Sequence, residues 1–456
     1  MPELDTTAEP VRGTRVPDDA DLEALRAWVP SQRWFPEKGS QGALDRVAVI
    51  DLADPLGEAR VRLHLLALPS GAVLQVPTVL RTAGTGADAA AAAPGVIAQV
   101  PDGVLVDGPH DAAFVRAWLA AAHDDGAAPS RIGRPRVAAG EQSNTSVLLP
   151  DADRPGILKV FRVVTLGPNP DVDVPLALAH AGWTGVPRPL AWLPGGWDLP
   201  GGAHAVGHLG VLSELVAGAR DGFELACDHA RAGTPFGDLA EDLGRTTAQM
   251  HRALRTAIPM AAAGHAHAPR SAAERHTEVR HVVRTLRERA DAAAARVPEV
   301  AARSAAVHAA YDRLEALDSV PPLQRVHGDY HLGQVLRSAD GHWYVLDFEG
   351  EPQASAEEKT RPDLALRDLA GMLRSLDYAA AVGRAADPVA WLTDARGRLI
   401  AGYERETGGA AAGLDVLLPA LELDKAIYEV VYESGNRPDW LPIPLGGVDR
   451  LLARTR

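Results

Sequence analysis

Cysteine is almost missing from this chain: Cys227 is the only one in 456 residues. No intramolecular disulfide can form and no cysteine-rich metal site can be built, which fits a reducing compartment. Long apolar runs are missing as well. The alanine-rich stretches are broken by Gly, Asp or Pro before they reach transmembrane length. Residues 1–15 carry acidic side chains and Pro10 where a secretory signal would have an apolar segment, so the expected location is the cytoplasm. An excess of positive charge is also absent. Lys and Arg together number 46 against 60 Asp and Glu, a net charge of −14. A chain this acidic repels nucleic-acid phosphates and anionic membrane surfaces as a whole, and neither is an expected partner. What is present is 46% hydrophobic and 23% charged, a globular composition long enough for two or three subdomains.

Residues 1–20 contain Pro2, Pro10 and Pro17 and read as a polar tail. A short helix is expected over 21–28, followed by Ser31-Gln32-Arg33-Trp34-Phe35. Strands are expected at 47–50, 61–66 and 73–76, and 83–95 reads as a Gly/Ala loop. A second β-rich region spans 136–164, then a short helix from Pro170 to 182, then strands at 185–192 and 207–216. Helical spacing follows over 239–257 and 273–310, the latter interrupted at Pro298. A compact β section at 324–348 precedes helices at 364–378, 388–407 and 414–434, with Pro442-Ile443-Pro444 ending the helical part. No internal repeat is visible. The order gives an α+β chain with a β-rich cap (1–105), a β-rich lobe (106–216) and a mainly helical lobe (217–456).

The most informative stretch is Val326-His327-Gly328-Asp329-Tyr330-His331-Leu332-Gly333-Gln334, followed by Tyr344-Val345-Leu346-Asp347-Phe348-Glu349. Phosphoryl transfer to a hydroxyl needs one carboxylate near the acceptor, oxygen ligands for a metal on the phosphates, and a cation to position them. Asp329 sits on a turn after an apolar strand, and Gly328 lets the backbone approach closely. Gln334 comes five residues later and offers an amide oxygen, while Asp347 ends a second strand with a hard carboxylate suited to Mg²⁺. Protein kinases place a catalytic Asp and a metal-binding Asn at the same separation, ahead of a metal-binding Asp-Phe-Gly. Here Gln replaces Asn, and Asp347-Phe348-Glu349 replaces Asp-Phe-Gly, so Glu349 adds a candidate metal ligand. An isolated His-Gly-Asp is an ordinary turn; the spacing to Gln334 and Asp347 is what points to phosphoryl transfer.

Upstream, Gly140–Val147 is polar and turn-forming between apolar strands, so Ser143, Asn144, Thr145 and Ser146 are candidate phosphate contacts. Lys159 stands alone in the apolar run Ile157-Leu158-Lys159-Val160-Phe161, and lysine is rarely buried without a partner. The expected partner is Asp173 on the next helix, with Asp171 as its rival. Leu212–Gly218 is where a hinge contacting adenine through backbone groups should lie, with Glu214 and Val216 at its centre.

These residues resemble the aminoglycoside-phosphotransferase-like kinases, and within them the bacterial maltokinases and related glucosamine kinases. The resemblance covers most of the chain: Gln32-Arg33-Trp34-Phe35, Gly140–Val147, Leu158–Phe161 with Gly167–Asp171, His327–Gln334, Asp347–Pro352, Arg367–Ser375, Asp424–Glu429, Tyr432-Glu433 and Asn436–Leu445. It implies a bilobal, eukaryotic-protein-kinase-like fold behind an N-terminal cap, and transfer of the ATP γ-phosphate to a sugar, with maltose as the leading acceptor and glucosamine as the alternative. It implies Asp329 as base, Gln334 and Asp347 as Mg²⁺ ligands, and Lys159 as the phosphate contact. Two positions depart from the pattern: Asp173 stands where a glutamate is expected, and Pro36-Glu37-Lys38-Gly39 where maltokinases tend to have Ala-Gly-Lys-Gly. An aminoglycoside phosphotransferase and a non-catalytic binding module of the same fold remain as more distant readings, and a monomer is expected.

For the sugar, hydroxyl-binding and aromatic side chains on the helical lobe are the candidates: His331, Asp368, Arg374, Tyr378, Tyr428, Glu433, Arg437 and Trp440. Glu429 and Glu433 are four apart and share a helix face, as do Asp424 and Tyr428. Asp368, Glu429 and Glu433 would suit an ammonium or the hydroxyls of a neutral disaccharide, so the sequence leaves the acceptor open.

Overall fold

The computed structural model describes residues 9–38, 44–82, 94–138, 143–199, 202–259, 271–350, 359–409 and 414–454. The chain forms two compact units, one of residues 2–179 and 187–216, the other of 180–186 and 217–456. Gly140, Glu141 and Gln142 of the expected phosphate loop, Glu351 and Pro352, and most of the 83–95 loop lie outside the described residues.

The first unit contains two sheets. One runs in the order Val11–Arg12, Pro189–Asp198, His204–Glu214, Gly156–Val160, Thr145–Leu149, Arg136–Val137, antiparallel except for the parallel first pair. The other runs Asp45–Leu52, Arg60–Ala67, Val73–Arg81, Gly103–Asp107, Val96–Val100, with Val163–Val164 added beside Val73–Arg81. Side chains alternate between faces along a strand, and both faces of this second sheet are covered. Val61, Leu63 and Leu65 share a core with Trp118, Val147, Leu158 and Trp197. Leu66, Leu74 and Val76 pack instead with Leu22 and Leu25 of the helix Ala20–Trp28, and with Trp34 and Phe35. Buried Gln75 ties the sheets together, donating through Nε2 to the carbonyls of Phe161 (2.6 Å) and Leu209 (2.8 Å).

The second unit is mainly helical. Its small sheet, Arg220–Asp221, Val335–Arg337 and Trp343–Val345, lies among Gly222–Ala232, Gly237–Ala257, Ala272–Arg296, Ser304–Asp312, Leu366–Val382, Pro388–Thr407, Leu417–Asn436 and Pro442–Arg454. Ala272–Arg296 begins at a capping box in which Ser271 and Glu274 satisfy each other's backbone N–H. Gly237–Ala257 and Pro388–Thr407 touch backbone to backbone: a Cβ at Gly244 would strike the Leu399 carbonyl, and one at Gly402 the Glu241 carbonyl. No helix of the described residues is long and apolar enough to cross a membrane.

Three features differ from the sequence expectation. The hairpin Val96–Val100/Gly103–Asp107 and the helix Ala112–Ala121 were not foreseen; the strands are five residues each and separated only by Pro101-Asp102. Pro442 and Pro444 do not end the helical part but open a last helix, Pro442–Arg454. Proline is tolerated in the first turn because the N–H groups there have no intrahelical acceptor.

Candidate active site

In the second unit, the His327-Gly328-Asp329 turn is held by a buried carboxylate. Asp368, near the start of Leu366–Val382, accepts from the backbone N–H of His327 (2.8 Å) and of Gly328 (3.0 Å). Its Oδ2 also meets His251 Nε2 at 3.0 Å, and His251 Nδ1 in turn meets the Tyr403 hydroxyl at 3.0 Å. Burial works against the Asp368 charge, but the His251 bond, the histidine charges and the backbone donor hold its carboxyl below the ordinary range. His327 Nε2 bonds the Leu346 carbonyl at 2.7 Å, which fastens the turn to the Asp347 segment. Gly328 has φ +92°, which favours glycine, and a Cβ there would lie 3.2 Å from Gly350 Cα, a tight approach.

This framework leaves the Asp329 carboxylate about one-fifth exposed, 3.7 Å from Lys425 Nζ and 3.9 Å from His331 Nε2. Burial pushes the His331 imidazole below its ordinary value, against the pull of Asp329. Gln334 and Asp347 are brought together, with Gln334 Nε2 donating to Asp347 Oδ2 at 3.3 Å. Asp347 has φ 58°, a left-handed conformation uncommon for a side chain larger than glycine. Strain of this kind persists where the surroundings fix it, as the bonds from His327 and Gln334 do here. An amide and a carboxylate side by side are a hard-oxygen donor set of the kind Mg²⁺ takes, and Glu349, half-buried two residues on, adds a carboxylate to the same segment.

In the first unit, Lys159 makes an ion pair with Asp171, which stands in the first turn of Pro170–His180. The expected partner, Asp173, is corrected. In this short helix, Asp171 is the one aimed at the strand, its N–H held by Asn169 Oδ1 at 3.0 Å. Asp173 is half-buried, and burial pushes its carboxyl up to about 6.

The expected phosphate loop is also corrected in part. Thr145 and Ser146 are buried in the strand Thr145–Leu149, and the Thr145 hydroxyl accepts from Arg162 Nε at 2.9 Å. Asn144 Oδ1 meets the Arg162 N–H at 3.4 Å, and Ser143 is exposed. At the other end of this unit, the Glu214 N–H donates to Arg188 O (2.8 Å) and the Leu215 N–H to Pro155 O (3.0 Å), while Val216 is half-buried.

Three expected sugar contacts are structural instead. Asp368 is spent on the His327-Gly328-Asp329 turn. Arg374 is fully buried, with Nε 2.8 Å from Glu429 Oε2 and Nη1 on Asp377, and these carboxylates raise its pKa against the effect of burial. Glu433 is buried and accepts from the Tyr378 hydroxyl (3.1 Å) and from Arg437 (2.7 and 2.9 Å). Arg437 lies over Trp440 at 4.5 Å, and Trp440 faces Tyr378 at 6.0 Å, so these form one surface cluster. Tyr428 is exposed beside Lys425, 4.8 Å from its ring centre, on a cavity of about 410 Å³ that Arg289, Arg367 and Asp424 also line. Lys425 is the residue that sequence reasoning missed. The chain has only four lysines (38, 159, 359 and 425), and rarity was the signal that could have found it.

Two family models match the chain: the maltokinase N-terminal cap domain over residues 28–111, and the phosphotransferase enzyme family over 232–411. A glucosamine kinase of Streptacidiphilus jiangxiensis is 32% identical over 59% of this chain and 62% of its own length. One of Mycolicibacterium smegmatis is 30% identical over 68% of this chain and 78% of its own. A solved glucosamine kinase in complex with glucosamine, ADP and inorganic phosphate aligns with a TM-score of 0.66 at 26% identity, over 96% of this chain and all (100%) of that one. A second crystal form of glucosamine kinase gives 0.68. The class is a phosphotransferase of kinase-like fold with an N-terminal β-rich cap domain. Within that class, the chain belongs to the maltokinase and glucosamine kinase branch.

Proposed function

We propose that this protein is an ATP-dependent sugar kinase whose acceptor is glucosamine, phosphorylated on a hydroxyl. The observation that carries the kinase reading is Asp329, partly exposed on a turn fixed by Asp368, with Gln334 and Asp347 bonded to each other nearby in the same fold unit. In this reading Asp329 accepts the proton of the attacking hydroxyl. Lys425 and His331, 3.7 and 3.9 Å away, hold its carboxylate in place. Lys159, steered by Asp171, contacts the nucleotide phosphates, with Ser143 and Asn144 near them, and the Glu214–Val216 segment meets the adenine. Gln334 and Asp347 would hold Mg²⁺, with Glu349 as a further ligand, and the bound ion would supply charge neutralisation at the phosphates. The cap is assigned to 1–105, the N-lobe to 106–216 and the helical lobe to 217–456. Nucleotide and sugar are the only partners this reading requires, and the enzyme acts as a cytoplasmic monomer, without nucleic acid or membrane.

Glucosamine leads because two curated relatives, and three solved structures that align over nearly the whole chain, are glucosamine kinases. Maltose is the second reading, favoured by the match of residues 28–111 to the maltokinase cap model. The deciding experiment is ADP release from Mg-ATP with glucosamine, maltose, glucose and kanamycin in parallel. Turnover on glucosamine alone is the expected result. Turnover on maltose alone would transfer the assignment, and none on any sugar would end it.

A further inference from the structure

The Gln32-Arg33-Trp34-Phe35 run takes no part in the proposed phosphoryl transfer, and core packing accounts for only half of it. Trp34 and Phe35 are buried, but Gln32 is half-buried and Arg33 is exposed. Within the first unit, Gln32, Arg33 and Trp34 border a cavity of about 370 Å³, together with Trp28, His110 and Asn144. Trp28 and Trp34 stand 5.8 Å apart with their planes inclined by 59°, so they make an angled aromatic wall.

The cavity has a preformed base. Asp107, also on its lining, is 3% exposed and accepts two bonds from Arg162 Nη2, at 3.0 and 2.7 Å. The Arg162 guanidinium in turn lies 4.3 Å from the centre of the Trp34 ring. Two bonds from one guanidinium nitrogen, together with its stacking on the ring, tie ring and carboxylate to the same side chain. At the mouth, by contrast, Arg33 and His110 make no hydrogen bond or ion pair among the described residues. An aromatic wall takes the C–H face of a sugar ring, and a guanidinium with an imidazole takes an oxyanion. The size is in the range of small-ligand pockets.

We propose that this cap cavity binds a hexose phosphate, its ring against Trp28 and its phosphate on Arg33 and His110. The choice of a hexose phosphate rests on the sugar-kinase reading; the existence of the site does not. Because Asn144 also borders the cavity, an occupant reaches the stretch expected to face nucleotide phosphates.

The test is calorimetric titration of the full chain with glucosamine 6-phosphate, in the presence of saturating glucosamine to block the acceptor site. Saturable binding is expected, weakened at least tenfold by Arg33→Ala and by Trp28→Leu, with inorganic phosphate and maltose each at least tenfold weaker. Both variants should keep wild-type kcat and KM when no hexose phosphate is present, which separates loss of the site from loss of the fold. No binding, binding unchanged in both variants, or inorganic phosphate bound as tightly as the sugar phosphate would each overturn the proposal. Arg33-dependent binding by a chain that phosphorylates no sugar would support the site while removing the kinase reading.

Discussion

Asp171 and Asp173 are two residues apart on one short helix, and their surroundings give them opposite chemistry. Asp171 has the Lys159 ammonium; Asp173 has no cation beside it among the described residues, and burial, outweighing a backbone bond at Asn169, pushes its carboxyl up to about 6. Asp171→Asn should therefore raise KM for ATP by about tenfold or more through loss of a close charge partner, whereas Asp173→Asn should leave KM nearly unchanged. The same contrast has a pH signature. Because the folded-state pKa of Asp173 lies above its unfolded value of 3.8, the folded state binds more protons between those values, and stability falls as pH rises from about 4 to 6. Asp173→Asn should stabilise the protein at pH 7 by on the order of 2 kcal/mol and leave it unchanged below pH ~4, read by denaturant unfolding at both pH values. At the His327-Gly328-Asp329 turn, where the proposed base sits, Asp329→Asn should lower kcat by about 10²–10⁴-fold while nucleotide affinity is retained; a variant with near-wild-type turnover would remove Asp329 as the base.

At the scale of elements, the Gly244–Gly402 crossing is what sets the second unit's helix spacing. Gly402→Ala should lower the unfolding free energy of that unit by about 1–3 kcal/mol, since the added methyl meets a backbone carbonyl that cannot rotate away; an unchanged melting profile would show that the helices slide freely. The regular elements were legible where periodicity or caps spoke, as in Ala20–Trp28, Arg60–Ala67 and Pro388–Thr407. They were illegible where the local signal was short or ambiguous. Two five-residue strands across Pro101-Asp102 leave little periodicity to read, and Pro442-Ile443-Pro444 is equally compatible with a stop and a start. The motif residues Asp329, Gln334 and Asp347 were visible because their chemistry is tied to spacing along the chain. Whether Asp368, Arg374 and Glu433 face solvent or spend their bonds inside the protein depends on partners 41, 55 and 55 positions away, which no local pattern reports.

For the whole molecule, the first unit carries an acid-sensitive core. His64 is fully buried with Nε2 3.0 Å from the Thr78 hydroxyl, and burial lowers its pKa to about 3; His208 is lowered to about 4 for the same reason. The unfolded chain binds protons at these sites from pH ~6.5 downward while the folded one does not, so stability is lost as pH falls through that window. By pH 4, His64 alone should cost roughly 3 kcal/mol, and His64→Gln should flatten the acid limb of the unfolding curve. If wild type and variant lose stability in parallel, the acid sensitivity lies elsewhere. The scarcity of lysine has a practical side. In a chain that relies on arginine for most of its positive charge, Lys159 and Lys425 are two of only four side-chain amines, and each stays about one-quarter exposed. An amine-directed acylating reagent would thus modify few positions, half of them at the proposed catalytic machinery. The protein carries its own sparse labelling map, on which nucleotide protecting Lys159 and sugar protecting Lys425 could be followed peptide by peptide.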